Sequence, residues 1–475
     1  MNKKILIISM LLLGALGLSA QNEQDALRYS FIQTGGTTRS ISMGGAFGAV
    51  GGDFSSLSIN PAGLGIYRKG EMAFSGSLIS DKTTARYLNE TTHELGYSLK
   101  GNHFGFVVPL SLRERGSGIS GVNLAFGYNK LADFGQNMTM RGINRTNSLV
   151  DEFVYSANHN NNWDPFSDGL AWETYLIDYD SLAGVYYSDF DGGNYGQTQR
   201  RSVDIGGDLG EYTLSLSTNL SHRLYIGATL GIQRAKYNET WEHTEADPTN
   251  IIYFFDDFTF RNTLAVYGTG YNLKLGILAR PLDFLRIGAA LHTPTFFTFN
   301  DDFTASMETN LESGNYQYEA EGEFDYKITT PFRAIGSIAL ILSQYGLVSL
   351  DYEYVDYASA RLSSSDYDFF NENDAVSTRY KAASNIRVGV EGHLANYFVR
   401  GGFGFYGSPY VSGEANANNN MTIWSAGLGY RDERVSIDLG YALAKWDQVY
   451  FLYGSNQSDM ENSKGRLSMT VGFRF

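Results

Sequence analysis

Downstream of Glu71, apolar side chains recur at every second position. Val435, Ile437, Leu439, Tyr441 and Leu443 alternate with Ser436, Asp438, Gly440, Ala442 and Ala444, and Trp424, Ala426, Leu428 and Tyr430 alternate with Ser425, Gly427 and Gly429. The last run sets Leu467, Met469, Val471, Phe473 and Phe475 against Ser468, Thr470, Gly472 and Arg474. A period of two puts alternate side chains on opposite faces of a strand. One greasy face and one small or polar face over about ten residues is the pattern of a strand crossing a bilayer as part of a closed barrel. Runs of this kind fall at 70–81, 97–111, 119–133, 209–221, 223–241, 262–280, 283–303, 324–343, 345–362, 378–394, 396–410, 421–431, 433–452 and 463–475, fourteen in all. The expected fold is all-β, a 14-stranded antiparallel transmembrane β-barrel.

The connections carry a second pattern. Leu112 to Gly118, Ser221-His222, Pro281-Leu282, Gln344, Ala395 and Asp432 are tight, whereas 134–208, 242–261, 304–323, 363–377, 411–420 and 453–462 are long, rich in Asn and Asp, and irregular. Bacterial outer-membrane barrels pair short periplasmic turns with long external loops, so an even strand number leaves both termini in the periplasm. Tyr352, Tyr354, Tyr397, Tyr430, Tyr441 and Trp446 lie near run ends, where aromatic girdles meet the headgroups.

Upstream the alternation is missing. Asn22 to Ile32 has a short amphipathic helical pattern through Ala26, Leu27, Tyr29, Phe31 and Ile32. Ser42 to Tyr67 then carries glycines at 44, 45, 48, 51, 52, 63 and 65 among Met43, Phe47, Val50, Phe54, Leu57, Ile59 and Leu64. Glycine permits left-handed and closely approached backbone, and Asn60-Pro61 marks a turn because Pro disfavours the α region at the residue before it. Residues 21–69 are thus expected to form a compact hatch inside the lumen of a barrel spanning 70–475.

Composition narrows the function classes. With 33 Tyr, 30 Phe and 53 Gly against 8 Pro, the 475 residues fit one large β-structure better than several soluble domains. Lys3 and Lys4, an apolar run from Ile5 to Gly17, and Leu18-Ser19-Ala20 match a cleaved secretory signal peptide over 1–20. No later stretch reaches the roughly 18 apolar residues of a spanning helix. A net charge of −15 disfavours nucleic acid as a partner. The absence of cysteine excludes disulfides, a lipoprotein anchor and thiolate metal sites. No nucleophile elbow, phosphate loop or zinc signature occurs. Asp189-Phe190-Asp191-Gly192-Gly193 and Asp256-Asp257 offer carboxylates without the spacing of a calcium loop, and none of the seven His is paired at a metal-ligand spacing. Neither catalysis, nor a metal, nor a cofactor is expected.

These residues resemble a family, the outer-membrane transporters of hydrophobic compounds typified by the long-chain fatty acid and toluene transporters. Met43-Gly44-Gly45-Ala46-Phe47, Gly51-Gly52-Asp53-Phe54-Ser55-Ser56 and Asn60-Pro61-Ala62-Gly63-Leu64 look like that family's hatch pattern, with Asn60-Pro61-Ala62 its most specific element. The resemblance implies a plugged fourteen-stranded barrel in the outer membrane of a Gram-negative bacterium. Ligand would collect in an outer groove, pass to an internal apolar site and leave through a lateral opening. The match is close over the hatch, is one of pattern over the barrel, and leaves 134–208 longer than the family leads one to expect. A monomer in contact with lipid and lipopolysaccharide is the implied state.

A hydrophobic solute held by apolar burial, at about 25 cal/mol per Å², needs a greasy pocket and few polar contacts. Phe31, Met43, Phe47, Phe54, Leu57 and Ile59, on the hatch, are candidate ligand contacts, and the same residues serve equally to wedge the plug in place. Asn60 and Pro61 read as holding the hatch turn, with a gating role as the alternative. Alternation points Lys274, Arg286, Arg333, Asp351, Glu353, Arg387, Glu391, Arg400, Asp438 and Arg474 into the lumen. Of these, Arg286, Arg387 or Arg400 can take a ligand carboxylate bidentately, or can pair with lumen acids or the hatch. Two further functions stay open. One is a partner-binding barrel, the shuttle component of a protein-secretion system, with the acidic 134–208 segment docking a surface protein. The other is an open porin or a haem receptor, against which the hatch and the scattered histidines argue.

Overall fold

The alternating runs become the strands of one barrel wall. The computed structural model describes residues 22–33, 35–110, 119–159, 163–190 and 194–475. The signal-peptide reading over 1–20, the 112–118 turn and residues 191–193 lie outside them. The wall consists of β1 (Glu71–Tyr87), β2 (Glu90–Leu110), β3 (Ile119–Asp133, resuming as Gln136–Ile143), β4 (Thr198–Leu220), β5 (Leu224–Ala246), β6 (Phe255–Leu282), β7 (Leu285–His292, resuming as Phe296–Leu311) and β8 (Gly314–Thr329, resuming as Arg333–Ile341). It continues through β9 (Gly346–Asp356, resuming as Arg361–Ser363), β10 (Ala382–Leu394), β11 (Tyr397–Tyr406), β12 (Met421–Arg431), β13 (Val435–Tyr453) and β14 (Asn456–Arg474). Each strand pairs antiparallel with its neighbours, and β1 pairs with β14 from Glu71↔Arg474 onward, which closes a 14-stranded barrel.

The faces separate as their period requires. On β13, Ile437, Leu439 and Tyr441 are 40–50 % exposed on the outside while Ser436, Asp438 and Ala442 are buried. No helix among the described residues is long and apolar enough to cross a membrane, and the strands carry the apolar belt instead.

Two of the expected long connections turn out to be strand. The segments 304–323 and 453–462 are the distal lengths of β7–β8 and β13–β14, closed by tight turns at 312–313 and 454–455. Above the belt both faces of a strand meet polar surroundings, so the alternation that marks a strand fades. The segment 134–208 likewise begins and ends in wall strand, and only 144–197 lies between. That insert folds as a cap of α4 (Leu149–His159), α5 (Asp168–Glu173) and a hairpin pairing Asp178–Asp180 with Val185–Tyr187. Leu149, Val150, Phe153 and Leu170 of the cap pack on Phe258, Phe260, Met307 and Met460 of the wall. Glu245 on β5 clasps the start of α4, accepting from Ser148 Oγ at 2.7 Å and Leu149 N at 2.9 Å.

Four strands are interrupted. In β7 and β8 the breaks fall at Pro294 and Pro331, which have no N–H to give to a ladder. In β9 a 3-10 turn spans Tyr357–Ser359, and in β3 the break is a bend at Phe134-Gly135.

The glycine-dense segment lies inside this cylinder. Together with the described residues that precede it, it forms α1 (Glu23–Arg28), α2 (Thr38–Ser42), α3 (Ser56–Ile59) and a 3-10 turn (Pro61–Ile66). Asn22 caps α1 and Thr37 caps α2 through their side chains. Gly44 and Gly45, at φ of +62° and +78°, take the sharp reversal after α2. The wall opposite is itself bare where the hatch approaches. A Cβ on Gly402 would strike the backbone of Gly44, and one on Gly276 would strike the Asn60 side chain.

Candidate functional site

The hatch is held by the charges that the alternation points inward. Arg39 of α2 grips Glu391 of β10 through Nε and Nη2, both at 2.8 Å. Glu391 also accepts from Arg400 Nε at 2.6 Å, and Arg400 Nη1 reaches Asp438 at 2.6 Å. Asp351 of β9 accepts the backbone N–H groups of Phe47 and Gly48, both at 2.9 Å, and Arg286 Nη1 donates to the Val50 carbonyl at 2.5 Å. Arg286 and Arg400 are thus engaged by the hatch and by lumen acids. Arg387 donates through Nη1 to Glu353 at 2.9 Å, while its Nε and Nη2 are without a hydrogen-bond partner.

Asn60 joins three pieces of chain. Its Oδ1 accepts from Ala62 N at 3.1 Å, and its Nδ2 donates to the Gly48 carbonyl at 2.7 Å and to the wall carbonyl of Ile277 at 3.2 Å. Pro61, at the first position of the 3-10 turn, needs no donor there. Ala62 is fully buried beside Tyr225 and Leu278. Asn60→Ala is expected to destabilise the hatch by about 1–3 kcal/mol, since it strands the buried Gly48 carbonyl and the buried Ala62 N–H. Faster proteolysis of the N-terminal segment in folded protein would measure that loss, and unchanged protection would contradict it.

Of the six candidate apolar contacts, Met43 and Phe47 pack with Ile59 against Ala290, Ile335 and Leu347, and Phe54 and Leu57 pack against Tyr67, Val107 and Ala125. These five fill the seam between hatch and wall. Ile59 also borders a small enclosed cavity of about 40 Å³, lined by Lys274, His292, Arg333, Glu353 and Arg387. Phe31 alone of the six faces a larger one.

That larger cavity measures about 330 Å³, within the roughly 300–1,000 Å³ of small-molecule sites. Gln24, Leu27, Arg28, Phe31 and Gln33 of the hatch form its floor. The β3 bend, from Ala132 to Gln136 with Met138, forms one wall, and Ile205, Tyr406, Met421 and Trp446 line much of the rest. The lining is mixed: the apolar side chains share it with Arg28, Asp133, Glu239, Lys464 and four glutamines. Arg28 stacks over the Tyr237 ring at 3.9 Å and pairs with Asp25, whose carboxyl burial pushes up to about 6 against the pull of that guanidinium.

Beside the bend the wall has a gap. The β2–β3 ladder runs from Leu110↔Val122 to His103↔Asn129 and stops, so that among the described residues β2 from Glu90 to Asn102 pairs with β1 alone. Beyond Gly135, β3 turns inward and lies behind the β1–β2 hairpin, where Thr92 Oγ1 donates to the Thr139 carbonyl. Leu95, Tyr97 and Leu99 on the unpaired length of β2 are 58 %, 68 % and 82 % exposed, high even for an outward face. Outside the bend is a recess of about 450 Å³ lined by Glu94 of β2, by Asn137, Met138 and Thr139, and by residues of β4–β6 that include Arg200, Asp204, Glu242 and Arg261. Met138 borders both this recess and the inner cavity. In sequence Asp133-Phe134-Gly135 reads as the end of a strand; the signal of the bend is that alternation resumes through Met138 and Met140.

No family model matches this sequence, and no curated protein is similar to it. Solved structures are. The P. putida toluene transporter TodX superposes with a TM-score of 0.58 at 10 % identity, covering 93 % of this chain and 99 % of that one. A Pseudomonas aeruginosa FadL homologue gives 0.57 at 13 % identity, covering 94 % and 100 %. The Ralstonia pickettii toluene transporter TbuX gives 0.51 at 16 % identity, covering 93 % and 99 %. The shared feature is the fold, a plugged fourteen-stranded barrel.

Proposed function

We propose that this protein carries hydrophobic small molecules, fatty-acid-like or aromatic, passively across the outer membrane of a Gram-negative bacterium, with its signal peptide removed and both termini in the periplasm. The observation that carries the reading is the cavity beside the β3 bend, with Leu27, Phe31, Ile205, Met421 and Trp446 in its lining, which shares Met138 with the outer recess. The fold shared with hydrophobic-compound transporters supports it. Exit through the wall is favoured over exit through the hatch. Below the cavity lie Lys274, Arg333, Glu353 and Arg387, and a greasy solute taking that path would strip water and partners from buried charge. A steady aqueous pore is disfavoured because the hatch fills the bore.

Uptake of a fluorescent acyl or monoaromatic probe into liposomes holding the purified barrel tests the proposal. Met138→Trp is expected to slow uptake at least tenfold while probe binding persists, and Met138→Ala to leave it equal or faster. Equal rates in both variants, or no binding of any apolar probe, would overturn the reading. A second reading, docking of a surface protein on the 144–197 cap, draws on Tyr155, Tyr175, Tyr179, Leu182 and Tyr187, which stand exposed there. Stoichiometric co-purification of such a protein, abolished by deleting the β-hairpin at 178–187, would favour it.

A further inference from the structure

We infer that Lys464 is the latch that holds β3 in its inward bend and so keeps the wall open beside the cavity, an inference that rests on the lateral route proposed above. Lys464 belongs to β14, which is separated from β3 by β1 and β2 in the ladder. Its ammonium nevertheless donates to the carbonyls of Asp133 at 3.0 Å and Gly135 at 2.9 Å, the residues on either side of Phe134 in the bend. Such contacts exist only because β3 has swung across behind its two neighbours. The same ammonium lies 3.1 Å from Asp81 and 3.5 Å from the Asp133 carboxylate, with 7 % of its side chain exposed. One inward step along β14, Asn462 accepts from Gln136 Nε2 at 2.8 Å, a second point on the same side.

The energetic logic is one of hydrogen-bond satisfaction. A buried carbonyl without a donor costs about 1–3 kcal/mol. In the bend, two carbonyls of β3 have turned from β2 to Lys464, and β2 in turn shows an unpaired edge from Glu90 to Asn102. With the ammonium removed, β3 can turn to the N–H groups of β2 that face it without a ladder partner among the described residues. The ladder would then resume in the existing register, with Leu95 opposite Asn137, and the gap would close. Lys464 is therefore a positioning residue, and the geometry it sets is the width of the opening.

Hydrogen exchange of the β2 amides in bilayer-embedded protein without ligand reads this directly. In Lys464→Met, alternate amides between Glu90 and Asn102 are expected to exchange at least about tenfold more slowly than in the native protein, as strand pairing protects them. Lys464→Arg, which keeps a charged donor, should leave them fast. Lys464→Gln, too short to span both carbonyls, is the second variant should the methionine form fail to fold, and should behave like it. Unchanged exchange in the folded Met or Gln variant, or faster exchange from a loosened wall, would overturn the latch. Because no ligand is present, that outcome is separate from a failure of the native barrel to take up an apolar probe, which would tell against transport itself.

Discussion

Glu391→Ala is expected to unseat the hatch. The Glu391 carboxylate lies between Arg39 of the hatch and Arg400 of the wall, and the side chains of all three are buried. Its removal leaves Arg39 with no acid in contact and Arg400 with Asp438 alone. Breaking a buried ion pair from one side costs about 3–5 kcal/mol, most of it the penalty on the charge left behind. The wall ladders do not depend on this carboxylate, so the loss should fall on the plug rather than on the barrel. In planar bilayers the native protein is expected to be silent and Glu391→Ala to show open-channel current, with Glu391→Gln between them. A silent Glu391→Ala with native protease resistance would mean that the backbone anchors at Asp351 and Asn60 suffice.

Phe31→Asp should produce the largest loss of ligand affinity. Phe31 is half-buried on the cavity floor, with its ring 6.0 Å from Tyr406 and 6.4 Å from Tyr357. A carboxylate there withdraws apolar contact area and forces a charge against the ligand. At about 2–3 kcal/mol the dissociation constant rises roughly 30- to 150-fold. Phe47→Leu is the matched control, since Phe47 packs between hatch and wall, away from the cavity. It should lower hatch stability and leave affinity within about twofold, a split that titration calorimetry with an apolar probe and thermal unfolding would register. Equal affinity losses in both variants would move the ligand from the cavity to the plug seam.

The wall was legible because lipid imposes a strict rule on one face of every strand. Val435 to Ala444 declares its register by composition alone. Where that rule lapses, at 304–323 and 453–462, polar residues on both faces made strand look like loop. The glycine-laden hatch was legible for a different reason, since few other sequences can thread a bore so closely that Gly402 and Gly44 touch backbone to backbone. The cavity was not legible. Its lining joins Leu27 and Phe31 to Ile205, Met421 and Trp446, which no local period links, and its wall depends on a bend that two residues create. The inward charges could be counted from the alternation, but their pairing could not: Glu391 meets a partner 352 residues away.

That remoteness also bears on how the molecule is assembled. Arg39 waits for Glu391, and Thr38 bonds Thr470, 432 positions later, on the final strand. These contacts of α2 therefore form only when the last strands arrive, whereas Phe54, Leu57 and Asn60 meet strands made earlier. Until the seam between first and final strands is sewn, the α2 end of the stopper lacks these anchors, so its last seating contacts and the completion of the cylinder coincide.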